Sequence, residues 1–259
     1  MRVAFTIITV TFNAKEELIK TINSVQNQKY LDFIHIIKDG LSTDETDKIN
    51  FSKFSSTFYY RSNDKGVYDA MNQGFNFAKN EFIIFLNAGD IFLSNNSLDK
   101  IALFIKRNPK FNSFVGGTLQ IEKKNNKVKR VMGIGILPKY LPLSQLPHPS
   151  LILRKSLLSK LNTPFDSYLK ISADYKQQLI LSKRKLLKTY FINEIITIMP
   201  LGGISNKNRF SIIKGYLETF AEAFKIYKIL SIYIITLKIL LYFYSIFISR
   251  KFSKLNFDY

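Results

Sequence analysis

Residues 82–86, Phe-Ile-Ile-Phe-Leu, form an unbroken apolar run that stops abruptly at Asn87-Ala88-Gly89-Asp90. Strands buried on both faces read this way, and they belong to sheets covered by helices on either side. In open α/β sheets ligands gather outside the carboxyl ends of the strands, so the polar residues after 86 mark a candidate ligand edge. A carboxylate held there is poised for a metal or a phosphate. An ordinary turn built on Gly and Asp satisfies the same local pattern.

The segments upstream repeat the arrangement. Residues 3–11 (VAFTIITVT) read as a buried first strand and not as a signal peptide, because the apolar run is short and leads into Thr11-Phe12-Asn13 instead of a small-residue cleavage site. Asn13 and Glu16 have the spacing of a capping box, with Leu18, Ile19, Ile22 and Val25 as the apolar face of the helix that follows. A second strand over 33–38 ends at Asp39-Gly40, and Ser42 to Glu45 repeats the capping spacing before a short helix. A strand over 57–61, a helix over 67–79 and the strand at 82–86 complete an alternation that predicts a parallel sheet with right-handed crossovers. Thr11, Asn13, Asp39, Asn87 and Asp90 then fall at the carboxyl ends of different strands. Buried carboxylates are costly unless paired or solvated, so their convergence on one rim points to a ligand.

Beyond a helix over 97–107, residues 114–122 and 127–132 predict a hairpin. Residues 133–147, rich in Gly and Pro, have the composition of a lid or acceptor-facing loop. His148-Pro149-Ser150 precedes a strand at 151–153, a helix over 172–183 opens with Ser172-Ala173-Asp174-Tyr175, and 193–199 read as a late strand. Residues 229–249 differ in kind: Lys238 is their one charge, and Lys225, Lys228, Arg250, Lys251 and Lys254 flank them. The length admits a bilayer span of about 30 Å, against which a central Lys costs about 2.5–3.5 kcal/mol. Aromatic side chains on an apolar helix with basic ends suit a helix lying in the headgroup boundary, and a buried soluble helix is the third placement.

Charge is distributed unevenly. Residues 1–99 carry 10 basic and 12 acidic groups, residues 100–205 carry 19 and 4, and residues 206–259 carry 9 and 3, for a net +19. A basic surface of this kind meets anionic material, either a membrane or nucleic acid. Nucleic acid is disfavoured as a partner, because the Phe and Tyr residues sit in apolar runs and are not interleaved with an exposed basic patch. The absence of cysteine excludes disulfides and thiolate metal sites, which fits a reducing compartment.

Four segments, TIITVTFN at 6–13, DGLSTDET at 39–46, GVYDAMNQG at 66–74 and FLNAGD at 85–90, resemble the family 2 glycosyltransferases, and most of all the colanic-acid and capsular-polysaccharide type. The match is specific over residues 6–90. It thins over 91–205, where it rests on His148-Pro149, Ser172-Ala173-Asp174 and Gly202-Gly203-Ile204-Ser205, and it does not define the tail.

The resemblance implies a GT-A fold, an α/β architecture with a mostly parallel, Rossmann-like sheet flanked by helices. Residues 1–205 would form the transferase domain, with a nucleotide-sugar half at 1–99 and an acceptor half at 100–205, and 206–259 an apolar helical tail that associates with a membrane. The implied reaction is an inverting hexosyl transfer from a nucleotide sugar, a UDP-sugar above all, to a lipid-linked or polysaccharide acceptor at the cytoplasmic face of the membrane. Carried over by position, Thr11 and Asn13 line the nucleotide pocket. Asp39 accepts a hydrogen bond from the base, most simply the N3–H of uracil, a role that suits an acceptor-only carboxylate. Asp64, Asp69, Asn72 and Asn87 fall beside the nucleotide or sugar, although Asp69 equally suits a first-turn helix carboxylate.

Asp90 matches the end of the metal-binding acidic motif, for Mg²⁺ or Mn²⁺. Asn87 and Gly89 stand where carboxylates are frequent, a departure that Mg²⁺ tolerates because it takes one or two carboxylates plus substrate phosphates. Asp174 corresponds to the catalytic base, with Ala173 in place of a preceding acid. His148 is a candidate acceptor contact, though a lone His before Pro also serves structure. The thinned acidic motifs leave a second reading, a noncatalytic nucleotide-sugar-binding partner in a glycan-assembly complex. A nucleotidyltransferase is disfavoured by the lack of a glycine-rich phosphate loop.

Overall fold

A computed structural model describes residues 2–134, 145–203 and 209–252. Its first four strands, β1 (Phe5–Thr11), β2 (Phe33–Asp39), β3 (Thr57–Arg61) and β4 (Phe82–Phe85), are parallel and lie in the order β3-β2-β1-β4. Register places Thr11 opposite Asp39 and Asp39 opposite Arg61, so three neighbouring strands end in one row.

Strand periodicity sends alternate side chains to opposite faces. Ile8, Val10, Ile83 and Phe85 pack with Tyr68 and Met71 of α2 (Val67–Asn76) on one side. Phe5, Ile7 and Ile84 pack on the other with Val25 of α1 (Lys15–Gln26) and Leu98 and Ile101 of α3 (Ser97–Arg107). Gly74 lets α2 settle on the sheet, since a Cβ there would lie 2.7 Å from Ile8 Cγ2.

Both expected capping boxes are replaced. Asn13 adopts a left-handed φ of 49° and its Oδ1 accepts the Thr43 N–H at 2.7 Å, while Asp44 Oδ2 caps α1 by accepting the Lys15 N–H at 2.8 Å. Asp44 Oδ1 also accepts from Thr46 Oγ1 at 2.6 Å, and two 3₁₀ turns, Thr46–Lys48 and Phe51–Lys53, stand where a short helix was expected. A carboxylate brought in by the fold thus displaces the local caps, and Asn13 instead ties the β1 loop to the β2 loop.

The sheet continues as a mixed one. After β5 (Ile91–Phe92) come the hairpin of β6 (Ser113–Ile121) and β7 (Val128–Met132), then β8 (Leu151–Arg154) and β9 (Thr189–Pro200). Beside β4 the order is β8-β6-β9-β5: β8 runs antiparallel to β4 and β6, β9 parallel to β6, and β5 antiparallel to β9 at the edge. The short α4 (Lys155–Leu158) follows β8, and α5 (Ala173–Lys183) carries Asp174 in its first turn. The expected lid at 133–147 falls for the most part outside the described residues, as do Ile204 and Ser205.

The tail is two helices, α6 (Arg209–Tyr227) and α7 (Leu230–Phe252), broken at Lys228, whose φ is 54°. The helix expected over 229–249 is therefore the second arm of a hairpin. Its inner face rests on the sheet: Arg130 of β7 donates to Ser245 Oγ at 3.0 Å and lies over the Tyr242 ring, and Ile248 and Phe252 join Val128 and Val131.

Candidate active site

The carboxyl ends of β1 to β3 form a closed polar wall. Asp39 is fully buried. Its Oδ1 accepts from the Ser42 N–H and hydroxyl at 3.0 and 2.6 Å, its Oδ2 accepts from Tyr59 Oη at 2.6 Å, and Arg61 Nε lies 3.6 Å away. Burial, aided by Asp39, holds the Tyr59 phenol well above its ordinary range, so it remains a donor. Its ring stacks on Phe51. Thr11 beside it is buried, and its Oγ1 has no partner among the described residues.

Lys38, the last interior residue of β2, turns its ammonium to the Asp39 and Ser62 carbonyls, both at 2.8 Å, and to Asp64 Oδ2 at 2.9 Å. Gly40 makes room for this pair: a Cβ there would meet Asp64 Oδ2 at 2.7 Å. Asp64 Oδ1 also accepts the Gly66 N–H at 3.0 Å. Asp69 Oδ2 accepts from the Lys65 N–H at 2.9 Å and from Gln73 at 3.1 Å. Asn72 clamps the Phe165 peptide, donating to its carbonyl at 2.8 Å and accepting its N–H at 2.9 Å. Asp64 and Asn72 thus have both polar side-chain atoms engaged by protein, and Asp69 its Oδ2.

The turn after β4 is different. Gly89, at a φ of 97°, bends the chain so that Asp90 folds back beneath α1, where Thr21 Oγ1 lies 2.9 Å from the Asp90 carbonyl. The Asp90 side chain is buried, and among the described residues no cation pairs with it. Burial pushes its carboxyl up to about 8, opposed in part by the Asn87 backbone. Such a group ionises readily at neutral pH only when a cation joins it. Asn87 Oδ1, on the same turn, is buried and has no partner among the described residues. Among the described residues no three His, Cys, Asp or Glu gather, so a metal here would depend on oxygen ligands from a substrate.

Asp174, in the first turn of α5, is buried, with Gln145 Nε2 donating to Oδ2 at 3.0 Å and Tyr68 Oη 3.3 Å from Oδ1. Tyr68 also donates to the Ile171 carbonyl at 2.5 Å, and burial with Asp174 nearby raises its phenol well above the ordinary range. His148 stacks on Phe85, the last residue of β4, and meets Phe165 edge-on, which bridges the Asp174 side to the Asn87–Asp90 turn. Burial lowers its pKa while Asp174 opposes, and its Nε2 is unpartnered among the described residues. A cavity of about 90 Å³ beside Tyr68 is bounded by Lys65, Gly66 and Lys170.

Lys38, Tyr68 and Gln145 were not singled out from sequence. Tyr68 lies inside the GVYDAMNQG segment, and Lys38 is a lone charge inside an apolar strand; both are signals that could have found them.

A sheet whose first four strands run parallel and end in hydroxyl and carboxylate groups has the ligand-binding edge of an α/β enzyme. Residues 6–167 match the family model for Glycosyl transferase family 2, and the chain belongs to that family. A PGL/p-HBAD biosynthesis glycosyltransferase of Mycobacterium bovis is 28% identical over 207 residues, covering 78% of this chain and 79% of the relative. A UDP-Glc:alpha-D-GlcNAc-diphosphoundecaprenol beta-1,3-glucosyltransferase of Escherichia coli is 28% identical over 183 residues, covering 64% and 68%.

Among solved structures, S. aureus TarS 1–349 in complex with UDP-GlcNAc superposes with a TM-score of 0.67 at 16% identity, over 85% of this chain and 65% of TarS 1–349. A mannosyltransferase from Pyrobaculum calidifontis in complex with GDP-Man and Mn²⁺ gives 0.65 at 13% identity, over 87% and 65%. These likenesses show the fold, which is GT-A-like. The protein is a glycosyltransferase, and the reading as a noncatalytic binding partner gives way.

Proposed function

We propose that this glycosyltransferase moves a sugar, with inversion, from a UDP-sugar to a lipid-linked acceptor in the assembly of a cell-surface glycan of the capsular or lipopolysaccharide kind, at the cytoplasmic face of the membrane. The observation that carries the reading is a pair of buried acids that the fold leaves short of partners: Asp90, with which no cation pairs among the described residues, and Asp174, to which Gln145 donates. The names of the relatives above, which include an undecaprenol-linked acceptor and a UDP-linked donor, support the choice of substrates.

In this reading the nucleotide lies across Thr11, Asn13 and Asp39. The orphaned Thr11 Oγ1 faces it, and the Asp39 carboxylate, with up to about four lone-pair positions, keeps room for a base N–H beside its present donors. Asp64, Asp69 and Asn72 shape the wall behind the phosphates and sugar. Asp90, with Asn87 beside it, would hold Mg²⁺ or Mn²⁺ together with the donor phosphates. When bound, such an ion neutralises charge on the departing diphosphate. The acceptor hydroxyl attacks the anomeric carbon from the face opposite the diphosphate, the C–O bond to UDP breaks as the new one forms, and Asp174 takes the hydroxyl proton. His148, whose Nε2 has no partner among the described residues, is the candidate group for orienting the acceptor.

The hairpin supplies the membrane contact. Phe210, Ile213, Leu217, Phe220 and Phe224 make one exposed stripe on α6, and Leu240, Phe243 and Phe247 another on α7. Among the described residues α7 is the one helix long and apolar enough to cross a membrane. Its inner face, however, is bonded to the sheet through Arg130 and Ser245, which favours a hairpin lying in the headgroup boundary over a span. The basic Lys225, Lys228, Arg250 and Lys251 at the ends of the two helices complement anionic lipid.

A thermal-shift panel of UDP-glucose, UDP-galactose and their N-acetylated amines, with and without Mn²⁺, tests the donor. One UDP-sugar should stabilise the protein in a Mn²⁺-dependent way and release UDP when a diphosphoundecaprenol-linked sugar is added. No response to any of them, together with one to GDP-mannose, would overturn the donor assignment. Flotation with anionic vesicles should be lost in a Leu240→Asp, Phe243→Asp double variant; undiminished flotation would overturn the membrane contact.

A further inference from the structure

The helix that carries Asp174 is not capped by its own sequence. Ser172 precedes α5 without making a side-chain capping bond, and three successive backbone N–H groups, of Lys170, Ile171 and Ser172, instead donate to the carboxylate of Glu218 on α6 at 3.3, 2.9 and 3.1 Å. Glu218 thus fixes the segment that leads into α5, and a carboxylate beside a helix N-terminus also complements the dipole.

A second set of contacts fixes the same segment. Lys238 of α7 donates to Thr219 Oγ1 at 3.0 Å, Thr219 lies 3.1 Å from Ser172 Oγ, and Ser172 Oγ donates to the Gly215 carbonyl at 3.0 Å. Because the ammonium can only donate, the hydroxyls run in one direction: Lys238 to Thr219, Thr219 to Ser172, Ser172 to Gly215. Gly215 permits the approach, since a Cβ there would lie 3.0 Å from Ile171 Cγ2. One turn further on, Lys176 of α5 pairs with the buried Glu222 of α6 at 2.8 Å. From the opposite side Tyr68 holds the Ile171 carbonyl. Residues 170–174 are therefore clamped between α2 of the transferase sheet and the C-terminal hairpin.

Taking Asp174 as the base, as argued above, we propose that Glu218 and Lys238 are positioning residues of the transferase site: Glu218 sets the angle at which α5 presents Asp174, and Lys238 supplies a buried positive charge behind it. The ammonium of Lys238 is enclosed by the rings of Tyr175 and Tyr216, at 5.0 and 5.5 Å. Burial pushes it down to about 8, with Asp174 opposing and Arg130 adding to the shift. The lone charge in the apolar tail thus belongs to the catalytic half of the molecule. The hairpin is at once the membrane contact and a wall of the active site, so the base is held in place by the element that docks on lipid.

The titratable and charged groups that face Asp174 are Tyr68 from α2, His148 from the turn before β8, and Lys238 from α7, which is itself beside Arg130 of β7. With the full chain and the UDP-sugar that the panel selects, Glu218→Gln should lower kcat about tenfold, with UDP and Mn²⁺ affinity within about twofold of wild type, as expected for about 1.4 kcal/mol of lost orientation at the base alone. Lys238→Met should move the acidic limb of the kcat profile to higher pH, because a cation that favours the carboxylate is gone, and Lys238→Arg should restore it.

Wild-type kcat and an unmoved pH profile in both Glu218→Gln and Lys238→Met would overturn the proposal. So would losses of kcat that track equal losses of UDP affinity and melting temperature, the signature of a purely structural role. Asp174→Asn run alongside separates the two readings: if it transfers at the wild-type rate the base assignment fails, and if it is inactive while the hairpin variants are normal only the positioning role fails.

Discussion

Asp39, Asp64 and Asp69, on the parallel half of the sheet, each accept two or more hydrogen bonds from the protein itself. Asp90 meets no cation among the described residues, and Asp174 accepts from Gln145 Nε2 at 3.0 Å while the nearby Tyr68 hydroxyl gives its proton to the Ile171 carbonyl. Protein donors hold the first set in place and so fix the shape of the rim, with Asp39 keeping a lone-pair position for a base N–H. The second set is left short of partners, with the orphaned Asn87 Oδ1 and His148 Nε2 beside it, and that deficit is available to a substrate. The difference teaches that acids of one rim can divide labour by how far the fold has already satisfied them.

The division can be broken by substitution. The largest effect is expected at Asp90: Asn in its place should cost about 10³-fold in transfer, in line with several kcal/mol of lost charge stabilisation. It should also remove the Mn²⁺-dependent thermal shift with UDP, without lowering the melting temperature of the unliganded protein. A loss of unliganded stability would place Asp90 with the structural acids instead. Next, Lys38→Met leaves Asp64 without its buried partner and should cost about 3 kcal/mol in urea unfolding. A change below about 0.5 kcal/mol there would show that the closed wall is not what holds the rim.

A smaller effect concerns His35, whose Nε2 lies 2.8 Å from Thr9 Oγ1 within the sheet and whose pKa burial lowers from 6.5 to about 3. Between those values the unfolded chain binds more protons than the folded one, so stability is intact above 6.5 and falls as pH drops toward 3. The loss from pH 7 to pH 5 should be about 2 kcal/mol, and His35→Gln should flatten it. A pH-independent unfolding midpoint over that range would contradict the buried neutral imidazole. Smallest is Thr11→Val, which should leave unliganded stability within about 0.5 kcal/mol and weaken UDP binding by about 1 kcal/mol, since the hydroxyl has no partner until the nucleotide supplies one. Unchanged UDP affinity would sharpen the pocket's boundary by excluding Thr11 from it.

Much of this was legible in the sequence because the first hundred residues obey local rules. The strand and helix alternation, the strand at 57–61, the helix at 97–107 and the alignment of Thr11 with Asp39 at the ends of β1 and β2 follow from periodicity and abrupt polar stops. The caps were misread because tertiary structure supplied a better acceptor: Asp44 reaches α1 from a loop some thirty residues away in the chain, at 2.8 Å. β5, two residues long, has no periodicity to read, and its pairing with β9 depends on a crossover that no local pattern encodes. The tail's length and apolarity were evident, but its break at Lys228 and the inward turn of Lys238 were not, because a lone Lys in an apolar run reads the same whether it snorkels to water or faces a Thr. Glu218 carried a faint signal, as one of two acids, with Glu222, in a helix otherwise mostly apolar and basic.

The most direct test is a transfer assay on Asp174→Asn in which donor occupancy is measured in the same sample. The account predicts UDP-sugar binding within about twofold of wild type and transfer slowed by about 10²-fold or more, because a general base alone has been removed. Transfer at the wild-type rate with full donor occupancy would contradict it.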